Sequence, residues 1–170
     1  MSKPWLTFDC YDTLVRYSEG KAAALATLVR EKGGDDTAVD RAQSAFEACE
    51  KKLQLGPFII LDAVLRKSLH AGLEAAGLPI TASDEETIIK AVKLSEPFPD
   101  TGPALADLKR DFRLAVLSNS EPEIIRHNIA SIGIEFDAVV LAAEAKCYKP
   151  DPNMFRELLD RIDETPENVT

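Results

Sequence analysis

The chain has 170 residues, 45% hydrophobic and 29% charged, a mix typical of a soluble globular protein with one core domain and room for an inserted subdomain. The formal net charge of −9 argues against general binding to nucleic acid or acidic membranes, although one basic group in a cleft still suits a small anionic organic substrate. Because no stretch approaches the roughly 20 apolar residues of a membrane helix and no secretory layout or disulfide pattern appears, we expect a cytoplasmic protein with reduced cysteines.

A short buried strand is predicted near the N-terminus. Residues 5–8, WLTF, are apolar and rich in strand-forming side chains, and the polar stretch 9–13, DCYDT, follows directly. This pattern is typical of a buried strand that ends in a functional loop.

From about residue 18 to residue 94 the apolar residues recur at helical spacing, and no strand pattern appears. Helix breakers at 33–34 (GG), 56–57 (GP) and 77–79 (GLP) separate the helical stretches. The sequence therefore predicts about four amphipathic helices in an insert that spans residues 17–96.

Strand and helix alternate in the remainder of the chain. The pattern predicts helix 101–110, strand 114–117, helix 121–132, strand 138–141 and helix 152–161. This alternation indicates an α/β core with a Rossmann-like parallel sheet, formed by residues 1–16 and 97–170, and a ligand site beyond the carboxyl ends of the strands.

Three polar residues fall where such a sheet gathers its functional groups. Asp9 follows the first strand, Ser118 the second, and Lys149 lies in the loop after the third. Each residue alone is more often a cap, a turn or a solvated loop position. Their joint order, with each tied to a strand end, favours a shared site instead.

These stretches resemble the motifs of the haloacid dehalogenase superfamily of hydrolases. Residues 8–15, FDCYDTLV, are similar to its first motif, residues 117–119, LSN, to its second, and residues 148–152, YKPDP, to its third. The resemblance covers nearly the whole chain, and it implies a Rossmann-like core with an inserted helical cap domain at residues 17–96.

The resemblance implies a role for each matching residue. Asp9 is expected to be the nucleophile, with Lys149 keeping its carboxylate ionised and Thr13 pinning its loop through a hydrogen bond. Side-chain donors and main-chain N–H groups are expected to bind the anionic group of the substrate. These substrate-binding groups are predicted at Cys10, Tyr11, Ser118 and Asn119.

The position two residues after the nucleophile separates the branches of the superfamily. Its phosphatases carry an Asp there to protonate the leaving alcohol, whereas this chain has Tyr11, as the 2-haloacid dehalogenases do. Halide leaves without a proton, while a phosphatase without its acid loses about 10²–10⁴ in rate. Asp12 stands one position later, where the family usually carries Gly. We therefore predict hydrolytic dehalogenation of a small 2-haloacid, with no required cofactor or metal.

Two departures from the dehalogenase pattern leave other functions open. Residues 45–52 contain no Arg to receive the halide, and Phe155 stands where the dehalogenases carry a Tyr. We interpret Phe155 as a core aromatic. The alternatives are a Mg²⁺-dependent phosphatase, a related hydrolase that opens strained rings or acts at other carbon centres, and a binding module without turnover.

A third departure concerns the C-terminal end. Residues 167–170, ENVT, stand where the family begins its fourth core strand, so its fourth motif does not occur in this sequence. That strand usually lies beside the first, so we expect the first strand to form an exposed sheet edge. We accordingly expect either a fragment or an edge covered by a partner, for example in a homodimer.

Overall fold

A computed structural model of the protein describes residues 3–170, which form two compact units. An α/β unit contains the residues up to Arg16 together with Glu96–Thr170, and an α-helical unit contains Tyr17–Ser95. Within residues 3–170 no helix is both long and apolar enough to cross a membrane.

The secondary structure confirms the predicted order of strands and helices. The elements are, in chain order, β1 (Trp5–Phe8), α1 (Tyr17–Glu31), α2 (Asp36–Gln54), α3 (Leu61–Ala75), α4 (Ala82–Lys93), α5 (Thr101–Leu108), β2 (Arg113–Ser118), α6 (Pro122–Ile132), β3 (Ala138–Leu141), α7 (Ala142–Ala145), α8 (Pro152–Ile162) and a 3₁₀ turn (Pro166–Asn168). The sequence did not predict α7 or the 3₁₀ turn, because one turn of helix is too short for periodicity to show.

The sheet of the α/β unit is parallel, with β2 between β1 and β3, which confirms the predicted fold class. Phe8 of β1 lies opposite Val116 of β2. Every residue of β2 after Arg113 is buried, as expected for a strand with neighbours on both sides. Because Phe8 is the last residue of β1, its loop and the end of β2 emerge side by side at one edge of the sheet.

The outer edge of β1 is paired by the last residues of the chain. Trp5 bridges Val169 in the parallel sense, Thr7 N donates to Thr170 O at 2.7 Å, and Thr170 N donates to Trp5 O at 3.1 Å. The prediction that β1 forms an exposed edge is therefore wrong over this stretch, because these main-chain groups have partners within the chain.

Local chemistry sets the bounds of the two helices that flank the strand ends. Pro122 begins α6 at a position that needs no N–H donor, and Gly133, at φ +74°, ends it in the left-handed region. The Asp151 side chain accepts a hydrogen bond from the Asn153 N–H and caps α8.

The α-helical unit packs α1, α2, α3 and α4 around an apolar core. Its fully buried side chains include Leu25, Phe46, Leu65, Leu69 and Ile88. Inside this unit Lys21 and Glu50 form an ion pair in which each residue is less than a tenth exposed. Glu50 also accepts a hydrogen bond from the Tyr17 hydroxyl, so this buried carboxylate has two partners.

Candidate active site

The carboxyl ends of β1 and β2 bring the predicted nucleophile and lysine into contact. Lys149 Nζ donates a hydrogen bond to Asp9 Oδ1 at 2.7 Å and another to Leu117 O at 2.7 Å. Lys149 is thus held between the loop after β1 and the carboxyl end of strand β2. Its ammonium group balances the charge of a carboxylate that is 42% exposed.

The two oxygens of the Asp9 carboxylate differ in their surroundings. Oδ1 accepts both the Lys149 ammonium and, at 2.8 Å, the N–H of Cys10. Among residues 3–170 no hydrogen bond reaches Oδ2. The bonds to Oδ1 orient the carboxylate, and Oδ2 remains the oxygen with a lone pair to give to an electrophile.

Main-chain hydrogen bonds close the loop that carries Asp9. Leu14 N and Val15 N both donate to Cys10 O, at 2.8 and 3.1 Å. Thr13 is exposed, and in the described part of the chain its hydroxyl makes no hydrogen bond. The loop therefore lacks the Thr13 bond that the sequence predicts, and any catalytic role of Thr13 stays a prediction.

Asn119 binds the lysine loop with both ends of its amide. Its Oδ1 accepts the Lys149 N–H at 2.6 Å, and its Nδ2 donates to Lys149 O at 3.3 Å. The sequence assigned this amide to the substrate. The structure instead shows it holding the main chain of Lys149, so its first effect is on the position of the ammonium group.

Ser118 is the predicted substrate donor that keeps an unused hydroxyl. The residue is fully buried at the end of β2, and its Oγ has no hydrogen-bond partner within residues 3–170. A buried hydroxyl without a partner costs free energy, about 1–3 kcal/mol by mutational estimates. That cost is recovered if an anionic ligand accepts the hydrogen.

Cys10 is buried directly beside Asp9, the predicted nucleophile. Burial and the negative charge of Asp9 raise the pKa of its thiol to about 12, against the opposing effect of Lys149. The thiol therefore stays neutral at ordinary pH. Its N–H, predicted to bind the substrate, donates to Asp9 instead.

The Tyr11 phenol is bound by two residues that the sequence did not single out. Its hydroxyl lies 2.9 Å from Ser120 Oγ, and it donates to Asn128 Oδ1 at 3.4 Å. Burial raises the pKa of the phenol well above its ordinary value, although the Ser120 hydrogen bond lowers it. Asn128 had one usable signal, since a polar residue interrupts the buried apolar stripe of Ile124 and Ile132 on α6.

A cleft of about 420 Å³ in the α/β unit borders Asp9 and Lys149, within the range of small-molecule sites, ~300–1,000 Å³. Leu117 and Leu158 contribute apolar lining. Phe155 also lines this cleft and is 47% exposed. Its interpretation as a core aromatic is therefore wrong.

The described residues contain no cluster of side chains that could bind a metal ion. Between residues 3 and 170 no three His, Cys, Asp or Glu side chains lie close enough together to hold an ion. Asp12, the acid nearest to Asp9 in the sequence, is exposed and has φ +59°, a region that favours glycine.

A family model for haloacid dehalogenase-like hydrolases matches residues 5–170. The chain belongs to this family. The chain is similar to the (S)-2-haloacid dehalogenase of Xanthobacter autotrophicus, with 27% identity over 166 residues, which cover 96% of this chain and 64% of that enzyme. The chain thus spans somewhat less than two thirds of that relative's length.

Two other similar proteins carry names that state different reactions. The crystal structure of an L-2-haloacid dehalogenase superposes with a TM-score of 0.80 at 26% identity, covering 99% of this chain and 74% of that one. A phosphoserine phosphatase of Thermus thermophilus is 30% identical over 118 residues, 67% of this chain and 45% of that enzyme. The family is therefore established, while the choice of reaction rests on the site.

Proposed function

We propose that this haloacid dehalogenase-like hydrolase dehalogenates a small 2-haloacid through an aspartyl ester at Asp9. The observation that carries the proposal is the asymmetric carboxylate: Oδ1 is held by the Lys149 ammonium and the Cys10 N–H, while Oδ2 accepts no hydrogen bond in residues 3–170. This arrangement suits attack on carbon by an oriented, ionised oxygen.

The first step needs no proton. Asp9 Oδ2 forms a bond to C2 of the haloacid, and the carbon–halogen bond breaks with its electron pair on the departing halide. A tyrosine at position 11 is compatible with this step, because a halide ion leaves unprotonated. The Ser118 hydroxyl is the proposed donor to the substrate carboxylate, since it is buried and has no partner in the described chain.

The second step returns the carboxylate. Water adds to the carbonyl carbon of the Asp9 ester, and the bond between that carbon and the ester oxygen breaks. The oxygen leaves on C2 and takes a proton, which gives a 2-hydroxy acid, and the second proton of water passes to solvent. Lys149 then again faces an ionised Asp9, at the distance of 2.7 Å seen in the structure.

Phosphate-ester hydrolysis is the second candidate, because a phosphoserine phosphatase is among the relatives. It requires an acid for the leaving alcohol and a metal ion for the phosphoryl oxygens. The acid nearest to Asp9 in the sequence is Asp12. Asp12 is exposed, and its own backbone lies in the left-handed region. We therefore place this reaction second, and metal-independence of the site is part of the proposal.

The experiment compares 2-chloropropionate with a generic phosphate ester, each with and without EDTA. We expect halide release that EDTA does not affect, that Asp9→Asn abolishes, and that Asp12→Asn leaves unchanged as the matched control. Phosphate release that EDTA and Asp12→Asn both abolish would instead establish the phosphatase. Release of neither product, with no ester at Asp9, would indicate a binding module or a reaction at another carbon centre.

A single turnover in water labelled with heavy oxygen tests the intermediate. With enzyme in excess, the ester route places the label in the Asp9 carboxylate and leaves the first product molecules unlabelled. Direct attack by water places the label in the 2-hydroxy acid. The second result would refute the covalent route even where halide release is observed.

A further inference from the structure

A side chain connects the loop that carries the proposed nucleophile to the segment that follows β2 and to α6. The Tyr11 hydroxyl contacts Ser120, 109 residues away, and Asn128, 117 residues away. Ser120 is 1% exposed and Asn128 is not exposed at all. Three polar groups thus meet in a buried part of the α/β unit, where the buried Glu121 also acts electrostatically on Tyr11.

The surroundings make these contacts costly to lose. Tyr11 packs against a buried cluster that includes Leu14 and Ile125. A buried polar side chain without a partner destabilises the fold, and the phenol supplies a hydrogen-bond partner to both Ser120 and Asn128. An apolar residue would suit either position better if packing were the only requirement.

The chemistry of a phenol limits what this hydroxyl can do. It has a single hydrogen, and donating that hydrogen to Asn128 leaves its oxygen to accept one from Ser120. The only hydrogen of the phenol is then used within the protein. Tyr11 therefore acts as a tether, and not as the acid for a leaving group.

The tether reaches the nucleophile through one residue. Tyr11 adjoins Cys10, whose N–H donates to Asp9 Oδ1 at 2.8 Å. Fixing the Tyr11 side chain therefore restricts the peptide that orients the carboxylate. The exposed Thr13 hydroxyl, predicted for this task, makes no hydrogen bond in the described residues.

We propose that Ser120 and Asn128 are positioning residues for the reaction: by holding the Tyr11 phenol, they anchor the Asp9 loop to the β2–α6 segment. The inference rests on the proposed function for its kinetic consequence. Its structural part stands on the contacts alone.

The kinetic test is a double-mutant cycle between Ser120→Ala and Tyr11→Phe. Losing one such hydrogen bond should lower kcat about three- to tenfold, with KM changed less than about twofold, because orientation and not binding is lost. In the Tyr11→Phe background Ser120→Ala should have no further effect on kcat. An equal loss of kcat in both backgrounds would overturn the proposal, since Ser120 would then act independently of the phenol.

Two additional variants guard against a purely structural explanation. Asn128→Leu replaces the acceptor by an apolar group of similar size, and it serves where Ser120→Ala does not fold. Ser68→Ala is the matched control, because Ser68 is also fully buried but its hydroxyl has no partner in the described chain. We expect the control to keep the kcat of the wild type; a loss equal to that of Ser120→Ala would overturn the proposal.

A spectroscopic test does not depend on activity. With isotope-labelled tyrosine, the NMR signal of the Tyr11 phenol carbon, assigned by its loss in Tyr11→Phe, should shift in Ser120→Ala and in Asn128→Leu but not in Ser68→Ala. An unmoved signal in the first two variants would refute the tether. If the wild type releases no halide, the proposed function fails, and this signal alone decides whether the tether exists.

Discussion

Replacement of Asn119 by Ala tests whether this amide builds the site through Lys149. The amide makes two hydrogen bonds to the Lys149 main chain, at 2.6 and 3.3 Å, in a partly buried setting. Each such bond contributes about 0.5–1.5 kcal/mol net, so Asn119→Ala should lower the free energy of unfolding by about 1–3 kcal/mol. The same bonds position the ammonium group that holds Asp9.

The assay combines stability with turnover. Urea unfolding is followed by the fluorescence of Trp5, the single tryptophan, which is 2% exposed in β1 of the same unit. Halide release should fall in kcat by about five- to a hundredfold if most of that free energy is expressed in the transition state. Asn168→Ala is the matched control, because its amide bonds only to Glu164 at the surface and its loss should cost less than about 0.5 kcal/mol.

Two results would refute this reasoning. If Asn119→Ala and Asn168→Ala unfold at the same urea concentration, the two bonds to Lys149 contribute no net stability. If KM rises while kcat is kept, Asn119 binds the substrate directly, as the sequence predicted, and its contact with the lysine loop is secondary.

Three further predictions concern strain, pH and buried charge. Asp12→Gly should stabilise the chain by about 0.5–1 kcal/mol, because Asp12 has φ +59°; a lower urea midpoint would contradict this. The pKa of Cys10 is raised from 9.0 to about 12, so its contribution to stability is complete below pH 9 and is lost as the pH rises toward 12. Cys10→Ala should remove that loss, up to about 1.4 kcal/mol per pH unit, and parallel declines of both proteins above pH 9 would argue against it. Glu50→Ala should lower the free energy of unfolding by about 3–5 kcal/mol, measured by urea unfolding followed by circular dichroism, because Lys21 loses its buried carboxylate partner. The control Glu47→Ala, at an exposed position of the same helix, should change that free energy by less than about 0.5 kcal/mol. Similar urea midpoints for the two variants would show that the ion pair is not essential.

The sequence predicts the fold well because local pattern determines it. Alternating apolar strands and amphipathic helices specify a parallel sheet, and the bounds of β1 and β3 match those expected from the sequence. Phe155 shows where this reasoning stops. On α8 the residues Met154, Leu158 and Ile162 are buried, whereas Phe155, next to Met154, is 47% exposed and lines the cleft together with Leu158. Periodicity identifies a helix, but it does not say which of two adjacent apolar stripes is covered.

The site follows the same division. Each of Asp9, Ser118 and Lys149 was predictable as a strand-end residue, since the topology alone puts them at one edge. The pairing of hydrogen-bond donors with acceptors was not predictable, because the contacts that decide it join residues far apart in the chain. Asp9 and Lys149 are 140 residues apart. Asn119 was therefore assigned to the substrate although its amide faces the Lys149 main chain.

Asp9 itself shows why such contacts decide function. Its Oδ1 receives one hydrogen bond from the adjacent residue and one from a lysine brought in by the third strand, and in the described chain Oδ2 receives none. The nucleophilic role that we propose for Asp9 needs this inequality, because an oxygen that accepts two donors is stabilised and oriented but is a weaker electron donor. The strand order makes the inequality possible, and we propose that the hydrogen bond between Tyr11 and Ser120 helps to keep it in place. If that hydrogen bond is removed, the carboxylate still accepts hydrogen bonds from Lys149 and Cys10, so we expect a looser orientation and a kcat lower by about three- to tenfold, not a complete loss.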